Sequence, residues 1–299
     1  MILTDSSGAA PTLSFEFFPP ATPEGSLRLW RSVERLAPLA PTFVSVTYGA
    51  GGTTRDRTRA AILTIVDRAR LNVAGHLTCV GATKAETLEV ADSYRKAGAR
   101  RIVALRGDPP KGADRFEAHP DGYSGAVALI QGLRAAGHKQ ISVGAYPEVH
   151  PEAASADADM DHLKAKIDAG ADSAITQFFF DNDAFLRFRD RAIKAGVTVP
   201  IHPGLLPIEN FGKMKSFAAR CGAEVPAWMH DAYANADSQG MTETLSRAIC
   251  VEQCDGLMAE GVDHLHFYTL NNPDLPYDVC RAIGVEPRVV QVAAEGGAA

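Results

Sequence analysis

Two carboxylates stand where apolar runs of this chain give out: Glu16 in "SFEFFPP", Ser14 to Pro20, and Asp108 in "LRGDPP". Read as a strand, the first segment sets Phe15 and Phe17 on one face and Ser14, Glu16 and Phe18 on the other. Glu16 is then a largely buried acid, and Pro19 and Pro20, with no N–H to give a sheet, stop the strand just beyond it. Burying a charged carboxylate without partners costs roughly several kcal/mol, so such a group finds a partner or keeps its proton. Glu16 sits among phenylalanines and Asp108 follows an arginine and a glycine, so Glu16 is expected to be uncharged and Asp108 the easier of the two to ionise. That separation suits a site in which one group donates a proton while the other offsets a positive charge.

Other polar residues fall at comparable places. Thr47 and Tyr48 close "TFVSVTY", His76 and Thr78 lie in "VAGHLTCV", and Arg106 and Gly107 precede Asp108. Tyr146, Glu148 and His150 follow "ISVGAYP", Gln177 lies in "SAITQFFF", and Tyr268 in "HLHFYTL". Each has a structural alternative: a lone histidine is more often a hydrogen-bonded core residue, "LRGDPP" reads as a tight turn, and "GAGG" at Gly49 to Gly52 as a flexible loop. The "HPE" run at His150 is weak as a metal pattern, and no metal is predicted. The argument for function is co-location, because these residues all belong at one end of a repeated unit.

The elements that must position them repeat. Eight short β-rich runs begin near Leu13, Thr42, Val73, Arg101, Ile141, Ser173, Val199 and His264. Segments of helical period lie between them, as in "ETLEVADSYRKAGA", and "KAGAR", "AAGHK", "DAGAD" and "KAGVT" place a glycine stop before the next run. Strand, helix, glycine, strand is the pattern of parallel βα units, and eight of them predict an α/β fold closed as a (β/α)₈ TIM barrel, a single domain over residues 1–299. An open doubly wound sheet would want a Gly-rich phosphate turn after its first strand, where this chain has "PPATPEG". The long interval before the eighth strand is expected to hold one added helix, and residues 1–12 and 289–299 to be loose tails.

Bulk properties exclude several classes. The chain has 299 residues, 46% hydrophobic, enough for one large core. Thirty basic against 36 acidic residues leave a formal charge of −6, which disfavours nucleic acid and anionic membrane as partners. The five scattered cysteines read as reduced thiols, and no stretch approaches the ~20 apolar residues of a membrane span. A cytoplasmic protein is expected.

The motifs "SFEFFPP", "FVSVTYGAGG", "HLTC", "IVALRGDPP", "AYPEVHPE", "LKAKIDAGAD", "ITQFFFD", "PGLLPI" and "HFYTLN" occur in one order from about Ser14 to Val285. In that order they resemble the methylenetetrahydrofolate reductase family. The resemblance implies a flavoprotein barrel that binds FAD at its mouth and uses NADH or NADPH to reduce methylene-tetrahydrofolate to methyl-tetrahydrofolate, nicotinamide and folate alternating against one flavin face. It implies a homo-oligomer. By motif match Glu16 resembles the family's general acid, and Asp108 the carboxylate beside flavin and pterin. Thr47, Tyr48, Ala50, His76, Arg106, Gly107, Asp108, Tyr123, Tyr146, His150, Asp159 and Lys166 match FAD-contact positions, and Gln177, Phe217 and Tyr268 match positions that meet folate or nicotinamide. Three positions depart from the pattern: Asn272 and Ala21, where arginine is common, and Lys213, where glutamine is frequent. The lost cation at Asn272 bears on the folate glutamate tail, with Lys213 a partial replacement. Two other readings are a flavin-binding subunit reduced by a protein partner and a barrel lyase without flavin. The lyase would want a Schiff-base lysine or a metal set, and the sequence presents neither.

Overall fold

The computed structural model describes residues 10–49, 54–109 and 116–288. Eight parallel strands close on themselves in chain order, β1 Thr12–Phe17, β2 Phe43–Val46, β3 Val73–Thr78, β4 Arg101–Leu105, β5 Ile141–Ala145, β6 Ser173–Phe178, β7 Ile201–Leu205 and β8 His264–Tyr268. The closing seam pairs Ser14 with His266 and Glu16 with Tyr268. All eight expected runs are strands. The first begins at Thr12, bonded to Asp263, so the ordered fold starts inside the segment expected to be a tail.

Helices α1 Pro23–Leu36, α2 Arg55–Thr64, α3 Lys84–Lys96, α4 Ala126–Ala135, α5 Ala156–Asp168 and α6 Asn182–Lys194 follow the first six strands. Their starts are written in the sequence. Thr22 caps α1 ahead of Pro23, Thr83 and Glu86 form a reciprocal capping box on α3, and Ser155 and Asp181 cap α5 and α6. Gly98, Gly137, Gly170 and Gly196, in the four predicted stops, all adopt positive φ. The interval between β7 and β8 differs from expectation. It holds α7 Phe211–Cys221, α8 Ala227–Ser238 and α9 Thr242–Ala259, two helices more than one βα unit needs, before α10 Asp274–Ala282. Gly222, left-handed after α7, and Gly240, left-handed before α9, cut the segment twice.

Strand alternation sorts the core. Leu13, Phe15 and Phe17 of β1, with Leu265 and Phe267 of β8, face outward under the helices in the main apolar cluster. Inside the barrel the apolar contribution is small, chiefly Phe43, Ala74, Val103 and Ile175. The rest of the interior is polar, including Ser14, Ser45, Ser142, Ser173 and His266, each buried. Among the described residues no helix is long and apolar enough to cross a membrane.

Candidate active site

Glu16 closes β1 on the inner face, and three other strands converge on it. Its Oε2 lies 3.2 Å from His76 Nε2 of β3 and 3.8 Å from His266 Nε2 of β8, and Ser45 Oγ of β2 donates to it at 3.5 Å. The side chains are nearly sealed, at 12% exposure for Glu16, 10% for His76 and 0% for His266. The expectation of an uncharged acid among aromatics is corrected by this arrangement. Burial alone would raise the pKa of Glu16, but the two imidazoles outweigh it and carry the group from 4.5 down to about 2. Phe15 and Phe17 do not oppose this, because they point away beneath the helices. In the ligand-free protein Glu16 is a carboxylate, and His76 Nε2 and His266 Nε2 are buried without a well-formed hydrogen bond.

One cavity, of about 520 Å³, opens beyond β4 and β5 and collects eight of the residues matched to flavin contacts: Tyr48, Arg106, Gly107, Asp108, Tyr146, His150, Asp159 and Lys166. Lys166 reaches in from α5, and its ammonium donates to the Gly144 carbonyl at 2.6 Å. Burial lowers its pKa from 10.5 to about 8 against the opposing pull of Asp159. Arg106 is held by both oxygens of Glu152, at 2.5 and 3.1 Å, with its guanidinium 5.0 Å from the Phe116 ring centre. The rings of Tyr146 and His150 meet edge to face at 4.5 Å, and the backbone N–H of His150 donates to the Asp159 carboxylate at 2.9 Å. Between them Val149 takes φ 79°, a strained value for a β-branched residue of the kind that clusters at functional loops. Gly107 takes φ 91°, and a Cβ there would stand 2.7 Å from Val80, so only glycine lets the backbone carry the exposed Asp108 to the rim.

A second cavity, of about 370 Å³, lies beyond β7 and β8 and is lined by Phe18, Phe217, Tyr268, Lys213 and Arg220 among others. Phe217 projects from α7 with its ring 5.1 Å from that of Phe178. Tyr268 fits only because β7 has Gly204 beside it, where a Cβ would come 2.5 Å from the ring, and its hydroxyl donates to Thr176 O at 2.6 Å. Gln177 folds back so that its Oε1 accepts from the Phe178 N–H at 3.0 Å, where the β6–β7 register shifts. Asn272 contacts Glu209, which also lines this cavity. Glu16 itself lines neither space, but its neighbours reach both: Tyr268, its partner across the seam, lines one, and Thr78, two residues beyond His76 on β3, lines the other.

Not every matched position faces a cavity. Thr47 bonds through its backbone to Phe17 and Thr58, and His76 faces Glu16 instead. The Tyr123 ring is buried against α4, where a Cβ on Gly132 would fall 2.1 Å from its hydroxyl, while the neighbouring Ser124 lines the cavity. Ala50 lies outside the described residues. Sequence reasoning missed His266, Ser14 and Glu152. The alternating "HLH" of β8 was the available signal, since it places His264 and His266 on one inward face.

The methylenetetrahydrofolate reductase family pattern matches residues 3–284. The chain is 48% identical to the 5,10-methylenetetrahydrofolate reductase of Escherichia coli K12 over 276 residues, 92% of this chain and 91% of the relative. It is 47% identical to that of Pectobacterium carotovorum over 280 residues, 93% and 92% of the two chains. A solved structure of an uncharacterized protein from Clostridium thermocellum, described as binding two copies of 5-methyl-5,6,7,8-tetrahydrofolic acid, aligns with a TM-score of 0.56 at 17% identity. That alignment covers 92% of this chain and 94% of the other, a likeness of fold. The chain belongs to the methylenetetrahydrofolate reductase family.

Proposed function

We propose that this chain reduces the methylene group of methylenetetrahydrofolate to a methyl group, with FAD as its resident cofactor and NADH or NADPH as the hydride source, the nicotinamide and the folate taking turns. The observation that carries the reading is the place of Glu16, a buried ionisable group whose neighbours Thr78 and Tyr268 line the two cavities. The residues present fit a flavin dinucleotide. Arg106 and Lys166 offer cations to phosphates or to an electron-rich ring, Tyr146, His150 and Phe116 offer flat surfaces, and Gly107 lets backbone come close. When bound, FAD supplies the hydride chemistry.

The protein's part is protonation, charge and alignment. Opening the five-membered folate ring needs a proton on the leaving nitrogen, and Glu16 is the group placed to give it. Since Glu16 rests as a carboxylate, it must gain that proton when substrate seals the mouth and removes the water that stabilises charge. Ring opening leaves an iminium cation, which the Asp108 carboxylate at the rim stabilises electrostatically. Phe217 stacks on whichever ligand occupies the second cavity, and the carboxamide of Gln177 is released from its own backbone to pair with the pterin edge.

Anaerobic rapid mixing tests the reading. NADH or NADPH should bleach the flavin absorbance of the purified protein, and methylenetetrahydrofolate should restore it with formation of methyltetrahydrofolate. A colourless preparation that takes up no FAD, or bound flavin that neither nicotinamide reduces, would overturn it.

A further inference from the structure

Beneath Glu16 the barrel carries a row of polar side chains that the proposed reaction has not used. Thr12, Ser14 and Glu16 alternate down the inner face of β1, and His264, His266 and Tyr268 face them register for register from β8. Thr12 Oγ1 lies 2.8 Å from His264 Nδ1, His264 Nε2 lies 2.8 Å from Ser14 Oγ, and Ser14 Oγ lies 2.7 Å from His266 Nδ1. His266 Nε2 then faces Glu16 at 3.8 Å with no hydrogen-bond partner. At the far end Thr12 is exposed, and His264 lines a pocket of about 360 Å³ at the base of the barrel together with Thr42, Asn72, Arg101, Gln140 and His202.

We propose that Thr12, His264, Ser14 and His266 form a proton relay that recharges Glu16 from the base of the barrel, opposite the mouth through which substrates enter. This rests on Glu16 being the acid of the reaction above. Ligands in the two cavities cover the mouth at the moment Glu16 has to be protonated, so a path from below is the one that stays open to water. A barrel interior is ordinarily filled by branched apolar side chains, and a row that serves packing alone gains nothing from two imidazoles joined through one serine hydroxyl.

The transfer balances as a shift of one proton at each link. Glu16 takes the proton on His266 Nε2, His266 Nδ1 takes that of Ser14 Oγ, Ser14 takes that on His264 Nε2, and His264 Nδ1 takes that of Thr12, whose hydroxyl turns from the Asp263 carbonyl it donates to at 3.0 Å and regains a proton from water at its exposed side. When products leave, mouth water protonates His266 Nε2, the shift runs back, and Thr12 returns one proton to water, so the row regains its starting tautomers and stays neutral for the next turnover. The groups packed around it favour passing a proton over keeping one. Arg101 of β4, bonded to Ser142 and Ser173 at 2.9 and 3.0 Å, and His202 of β7, with its ring 4.0 Å from that of His264, place positive charge or its potential beside His264. Burial and these neighbours push His264 down to about 2, so it does not trap a cation. Phe43 stacks alongside both rings, Tyr268 packs edge-on against His266, and His76 is the remaining ionisable group at Glu16.

Ser14→Ala removes the single bridge between the rings, and His264→Leu removes the next link should the first variant fail to fold. In holoenzyme, either variant should slow reoxidation of the reduced flavin by methylenetetrahydrofolate tenfold or more while reduction by NADH stays within about twofold. The slowed step should show a larger solvent deuterium effect than wild type. In ligand-free protein labelled with ¹⁵N-histidine, exchange of the His266 ring N–H with D₂O should slow at least tenfold in Ser14→Ala. Unchanged exchange, or equal slowing of both half-reactions, would overturn the relay. Should wild type itself fail to reduce folate, the reaction assigned to the site falls, and the exchange measurement still decides the relay.

Discussion

Replacing Glu16 by glutamine tests whether its carboxylate is charged at rest. The drop in its pKa from 4.5 to about 2 corresponds, at roughly 1.4 kcal/mol per pH unit, to about 3 kcal/mol of stability held by the ionised form. Because the folded-state pKa is depressed, that contribution is complete above the unfolded value near 4.5 and is lost as pH falls through about 2. Glutamine keeps the shape and the contacts with His76 and His266 and loses the charge, so Glu16→Gln should cost about 1–3 kcal/mol at pH 5 to 7. The gap between wild type and variant should shrink by more than half between pH 5 and pH 3. Urea unfolding of the ligand-free proteins across that range measures it directly. A gap that stays constant or widens as pH falls would mean that Glu16 holds its proton in the resting protein, and the account of the two imidazoles would fail.

Three further outcomes follow from the same geometry. Gly107→Ala adds a methyl 2.7 Å from Val80 at a backbone angle suited to glycine, and should lower stability by about 1–3 kcal/mol and loosen flavin, read by thermal melting and retained absorbance. A change under about 0.5 kcal/mol would show that the turn relaxes at no cost. Lys166 loses its charge as pH rises through about 8, so flavin affinity should decline between pH 7 and 9.5 in wild type and be weak and flat with pH in Lys166→Met. Equilibrium dialysis showing the same pH profile in both proteins would refute the assignment. Asp108→Asn should slow folate reduction about tenfold or more while leaving protein stability unchanged within about 0.5 kcal/mol, since Asp108 is exposed. Unchanged kinetics of both half-reactions would remove it from the site.

The barrel was legible because its signals are local. Alternation in "LSFEFF" and "HLHFY" separates the faces of a strand, and glycine before each new strand stops a helix, so neither needs knowledge of distant residues. The α7–α8–α9 interval was less legible because its two breaks, at Gly222 and Gly240, lie in a long stretch with several helical periods and no intervening strand. The cavity beyond β4 and β5 was legible as a set of strand-end residues. Where the Tyr123 ring goes was not legible: it packs on Gly132, while the neighbouring Ser124 lines the space.

The charge of Glu16 shows where local reading ends. By itself the sequence determined that this carboxylate lies on the inward face of the first strand, because a period of two leaves no other choice beside Phe15 and Phe17. Its neighbours on either side in the chain are aromatic, and from them an uncharged acid follows. Only barrel closure brings His76 from β3 and His266 from β8 against it, 60 and 250 residues along the chain. Electrostatic energy depends on distance through space, so the tertiary structure alone decided that the group rests ionised.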